Sequence, residues 1–194
     1  MGKNRMEAFS DGVIAVLITI MVLEMKVPHG ETFAALQPVL PVFLSYVLSF
    51  IFIGIYWNNH HHMLHAVHKV SGPMLWANLH LLFWLSLVPF ATGWMGENHF
   101  TAVPTALYGV VLLMSGVAYT VLQQVIIASQ GPESLLKKAV GADRKGKASL
   151  VLYATAIPLA FWQGSLSLAL YVLVAVIWFI PDKRIERVVH HEPG

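Results

Sequence analysis

The chain has 194 residues, 57% of them hydrophobic and 11% charged, with a mean hydropathy of +0.66. That balance describes a one-domain integral membrane protein. A net charge of +2 is too small to suggest a nucleic-acid partner, and the absence of cysteine excludes disulfides and thiolate metal sites.

Six membrane spans are predicted, an all-α polytopic fold. They run Met6–Val27, Val39–Trp57, Pro73–Trp94, Ala102–Ile127, Lys147–Trp162 and Ser165–Ile180. Each is near the ~20 residues a bilayer requires, the last two being short. Pro38 and Pro41 open the second span, Pro73 the third and Pro104 the fourth, where a missing N–H costs little. Pro158 falls inside the fifth and is expected to kink it. Pro181 closes the sixth, so residues 1–181 form the membrane domain and 182–194 a short tail. No cleavable signal is expected, because the first apolar run is long, carries Asp11 and lacks a small-residue cleavage site. The start lacks the Ser or Thr that a myristoylation site wants. No internal repeat is visible.

The first span, RMEAFSDGVIAVLITIMVLEMKVP, organises the rest. Its apolar run from Val13 to Leu23 holds one threonine, Thr19, and Ser10 and Asp11 sit just inside its start. A carboxylate at the edge of such a helix is costly and marks a functional-site hypothesis. Its plain alternative is a capping carboxylate at headgroup depth. At about 100° per residue, Arg5, Phe9, Gly12, Val16, Ile20, Leu23 and Val27 share one stripe, with Thr19 within about 60° of it. Ser10 and Asp11 point away, so a buried Asp11 needs a partner from another helix. Periodicity alone leaves open which stripe faces a pore.

Nearly all Lys and Arg fall at the N-terminus, after even-numbered spans, or at the C-terminus; Lys26 is on the other side. By the positive-inside rule both termini are cytoplasmic. The basic segment Gln130–Gly146 reads as a solvated membrane-surface patch. Trp57, Trp76, Trp94 and Trp162 lie near span ends and read as an aromatic belt. Ser45, Ser49, Gly54, Gly109, Ser115 and Gly116 suit close helix contact.

His60, His61, His62, His65 and His68 invite a metal reading, with His61–His65 at helix-neighbour spacing. No cysteine or carboxylate lies among them, so they read as hydrogen-bonding and headgroup-boundary residues, and no metal site is assigned. Asn78, a turn into span three, lies at a depth similar to Asp11. Ser10, Asp11, His60 or His61, and Asn78 are expected to form one inter-helix network, because an amide in lipid needs a partner. His80 reads as a packed core histidine. There is no nucleotide loop, no Ser-His-Asp order and no H-E-x-x-H, so no catalytic residue and no cofactor are assigned.

Arg5, Phe9, Ser10 and Asp11 spell R-x-x-x-F-S-D, followed by Thr19, Leu23-Glu24 and Pro28. This string resembles the first helix of bacterial relatives of the lysosomal potassium channel, the transmembrane protein 175 family. The likeness continues through SFIFIGIYWNNHHHML and ANLHLLFWLSLVPF and weakens after Tyr108. The resemblance implies a homotetramer of six-helix subunits in the bacterial inner membrane, with first helices lining an axial pore for K⁺. It places an apolar constriction on Val16, Ile20 and Leu23, with Thr19 supplying hydroxyls. Proton permeation stays open. The family pattern also favours His60 and His61 as the buried histidines. From another class, a small secondary carrier would use Asp11 as a coupling carboxylate, but the repeats and broken midplane helices usual in carriers are not visible. An intramembrane metal-dependent enzyme would need a general base near the histidines, where none lies in sequence.

Overall fold

A computed structural model describes residues 2–67, 69–131 and 134–179. Among them the helices are α1 (Lys3–Leu23), α2 (Leu40–His65), α3 (Gly72–Ser86), α4 (Val88–Glu97), α5 (Ala102–Gln130), α6 (Leu135–Val140), α7 (Arg144–Trp162) and α8 (Gly164–Phe179). A 3₁₀ segment, Phe33–Val39, leads into α2. Among the described residues, four segments are long and apolar enough to cross a membrane: Lys3–Leu23, Phe33–His65, Gly72–Glu97 and Ala102–Gln130. Gly164–Phe179 is a shorter apolar helix. Arg144, Lys145 and Lys147 occupy the first turn of α7, which shortens its apolar part.

Several boundaries differ from the sequence reading, each for a local reason. The second helix does not stop at Trp57 but runs to His65, since no Gly or Pro interrupts Asn58–Leu64. The third span is two helices. Pro89 has no N–H for the Leu85 carbonyl, so the chain tightens at Leu87, whose N–H bonds the Trp84 oxygen at 3.2 Å. The fourth helix continues to Gln130 and ends at Gly131, whose φ of +74° is open to glycine. The basic segment after it holds α6, capped by Ser134 Oγ, which accepts from Lys137 N at 3.2 Å. Asp143 caps α7, its Oδ1 accepting from Gly146 N at 3.2 Å. Pro158 lies within α7, which still runs to Trp162. Pro181, the tail 182–194 and His68 lie outside the described residues.

The centre of the bundle is α5, packed on α3, α4, α7 and α8. Its Tyr108 meets Tyr171 of α8 edge-on at 5.6 Å, and Tyr171 in turn meets Tyr153 of α7 at 6.3 Å. Ser49 of α2 joins Thr92 Oγ1 of α4 at 2.6 Å and the Tyr108 hydroxyl at 2.9 Å, all three buried. Hydrocarbon offers little drive for apolar surfaces to separate from it, so such packing and hydroxyl contacts hold the helices together. Helix α1 lies at the edge of this bundle, against α2, α3 and α4.

Candidate functional site

Two faces of α1 have different fates. Met6, Ser10, Ile14, Leu17 and Met21, spaced three and four apart, are buried against the chain's own helices. On the opposite side Arg5, Phe9, Gly12, Val16, Thr19, Ile20 and Leu23 are exposed. Val16 is 52% and Leu23 80% exposed, values that core side chains of this size do not reach. The Thr19 hydroxyl donates to the Val16 carbonyl at 2.9 Å, which directs its remaining lone pairs away from the helix axis.

The buried face carries a directional polar chain across three helices. His60 Nε2 of α2 donates to Asn78 Oδ1 of α3 at 2.8 Å, and Asn78 Nδ2 donates to Ser10 Oγ of α1 at 2.9 Å. Ser10 passes its own proton to the Met6 carbonyl at 2.9 Å. All three side chains are buried. In this arrangement Nε2 of His60 carries the hydrogen, and Nδ1 has no partner among the described residues. The sequence groups Ser10 and Asn78 with Asp11 and with His60 or His61; in the fold His60 is the histidine of this chain, and Asp11 and His61 bond elsewhere.

Asp11 and His61 belong to a second set of ties, between the antiparallel helices α1 and α2. Asp11 Oδ1 accepts from Trp57 Nε1 at 3.1 Å, Glu7 Oε1 meets His61 Nδ1 at 3.1 Å, and Lys3 Nζ donates to the His65 carbonyl at 3.3 Å. Residues 3, 7 and 11 thus face 65, 61 and 57, a rung at every fourth residue of each helix. In sequence Trp57 reads as an interfacial belt residue, and nothing marks Glu7 by itself. The signal was present: polar groups at a period of four on both helices. Phe9 and Arg5 of the R-x-x-x-F-S-D string point outward, not into either set of ties. His80 accepts from Trp84 Nε1 at 3.0 Å, a contact within α3.

Helix α1 is thus an edge helix of a membrane protein, one face tied to its own bundle and the other exposed and largely apolar. A sequence model of the family described as endosomal/lysosomal potassium channel TMEM175 matches residues 5–89, the stretch that holds every residue of both sets of ties except Lys3. The chain is 56% identical over 187 residues to a potassium channel of Chryseobacterium sp. (strain P1-3), covering 96% of this chain and 97% of that one. It is 35% identical over 128 residues to a potassium channel of Streptomyces collinus, 62% of each chain. The crystal structure of a lysosomal potassium-selective channel TMEM175 homolog from Chamaesiphon minutus matches with a TM-score of 0.77 and 25% identity, covering 93% of this chain and 97% of that one. The chain belongs to the TMEM175 family. Its fold and relatives are those of membrane ion channels, not of an enzyme.

Proposed function

We propose that the protein is a potassium-selective channel, a homotetramer in which four α1 helices surround an axial path in the bacterial inner membrane. The observation that carries the reading is the exposed stripe of α1 with Thr19 midway along it. Val16, Ile20 and Leu23 form the apolar constriction, and a ring of such side chains excludes water when narrow. An ion passing it sheds hydration, which K⁺ does at lower cost than the smaller Na⁺. Thr19 hydroxyls replace part of the lost shell. No cofactor takes part, and K⁺ is the permeant ion. The polar ties hold the opposite face of α1 in register: Ser10, Asn78 and His60 inside the bundle, Asp11 and His61 along α2. An even number of spans would put both termini on one side, and the Lys and Arg bias supports the cytoplasm as that side, with Lys3 and Arg5 at the inner end of the path.

The names of the bacterial relatives and the likeness to the Chamaesiphon channel support this reading over a carrier. Within this chain, Asp11 is bonded to Trp57 beside the bundle, away from the stripe that a permeating ion would follow. Planar-bilayer recording of the reconstituted protein tests it. Discrete unitary currents carried by K⁺ are expected; saturable transport with fixed ion coupling and no unitary steps would replace the channel with the carrier.

A further inference from the structure

The histidines of α2 lacked a carboxylate in sequence, and the fold supplies one from α1. His61 and His65 lie one turn apart, and their Nε2 atoms stand 3.0 Å from each other. Glu7 Oε1 is 3.1 Å from His61 Nδ1. One ligating atom from each of the three residues lies within 4.8 Å of the other two. We propose that Glu7, His61 and His65 form a binding site for a divalent transition-metal ion of the zinc class, joining α1 to α2.

Two imidazole nitrogens this close cannot both present lone pairs to each other. Either a proton lies between them, or one cation takes both lone pairs. Two nitrogens bound to tetrahedral zinc at about 2.0–2.1 Å stand about 3.3 Å apart, a few tenths of an ångström from the spacing here. Histidines at i and i+4 on one helix are a spacing that presents both rings to a single ion. Glu7 accepts from His61 Nδ1–H, which leaves the Nε2 lone pair of that ring for the ion and sets a negative charge behind it from the neighbouring helix. His65 is exposed, while Glu7 and His61 are partly so, which gives an ion a route in and leaves its remaining positions to water.

Among the described residues, the other charged and titratable groups acting on the cluster are Lys3 and His62. Lys3 Nζ bonds the His65 backbone carbonyl, leaving the ring nitrogens to the ion. The His62 ring lies 5.7 Å from that of His61. Two imidazole nitrogens favour zinc-class ions over Mg²⁺ and Ca²⁺, which take oxygen ligands. The site rests on the geometry of α1 against α2 and does not depend on what the channel conducts.

Calorimetric titration of ZnCl₂ into the full-length protein in detergent tests the proposal, alongside His65→Ala, His61→Ala and Glu7→Gln. The wild type is expected to bind one more zinc per chain than His65→Ala, or to bind it at least tenfold more tightly. His65→Cys, which restores a zinc ligand, should recover the site where His65→Gln does not. Zinc should also raise the unfolding temperature of the wild type and not of His65→Ala, and millimolar Mg²⁺ should not displace it. Equal stoichiometry and affinity in wild type and His65→Ala would place the ion on other imidazoles, such as His190 and His191, and overturn the proposal. A wild type that binds no zinc would overturn it equally.

Discussion

Asn78 is the residue with most resting on it inside the bundle, because its amide is the middle link between His60 and Ser10. Removing it leaves a buried imidazole N–H without an acceptor, at roughly 1–3 kcal/mol. Asn78→Ala should therefore lower the unfolding temperature and the yield of assembled protein. Asp11→Ala removes one contact at the half-open edge between α1 and α2, worth about 0.5–1.5 kcal/mol. The expected order in thermal unfolding is wild type, Asp11→Ala, Asn78→Ala; the reverse order would mean that Asp11, not Asn78, anchors the first helix. Asn78 and Ser10 were legible in sequence because a buried amide must find a partner. The assignment of Asp11 to Trp57 was not, since an indole N–H near a span end reads equally well as bonding to headgroups.

Among elements, the far end of α1 carries an unfavourable charge. Glu24 follows the last turn, where the helix dipole is negative, and no basic residue offsets it there. Partial burial, and then the carboxylate of Glu97, push its pKa above the ordinary value. A carboxyl whose folded pKa is raised favours folding when protonated, and that contribution is lost as pH rises through the folded value. Glu24→Gln should therefore unfold at a higher temperature than wild type near neutral pH. The difference should fade as the pH falls toward the ordinary carboxylate range; a difference that grows on acidification would contradict the assigned direction. The break between α3 and α4 has a comparable consequence in packing. It brings Gly96 so close to α2 that a β-carbon there would stand 2.7 Å from Val42 Cα. Gly96→Ala should cost about 1–3 kcal/mol by overpacking, read in chemical or thermal unfolding, and an unchanged midpoint would show that α4 can shift freely. The long apolar helices were legible because hydrocarbon thickness and composition constrain them together. The break at Leu87 was missed although Pro89 marked it, because the apolar run continues through it without a polar residue.

For the whole molecule, the proposed function needs the exposed stripe of α1 to meet further copies of itself. Phe9, Val16, Ile20 and Leu23 are exposed on the chain, and closed cyclic assembly gives such a face something to meet. Native mass measurement in mild detergent should give four chains per particle; a stable monomer would count heavily against the axial path. The same stripe was visible in sequence as a helical period. Its separation from Ser10 follows from helix geometry, whereas its proposed role as a pore wall comes from the resemblance carried by R-x-x-x-F-S-D. The position of α1 at the edge of the bundle could not be read from one helix, because it depends on where α2, α3 and α4 stop.

The most direct test of the account is the reversal potential of reconstituted protein under a K⁺/Na⁺ gradient, measured for wild type, Thr19→Ala and Ile20→Asn. Thr19→Ala removes a hydroxyl from the path and keeps a good helix former, so K⁺ preference should fall while total flux persists. Ile20→Asn should wet the constriction and raise leak for several cations, moving the reversal potential toward zero. Unchanged reversal potentials in both variants, at normal expression and tetramer yield, would move the ion path off this face of α1.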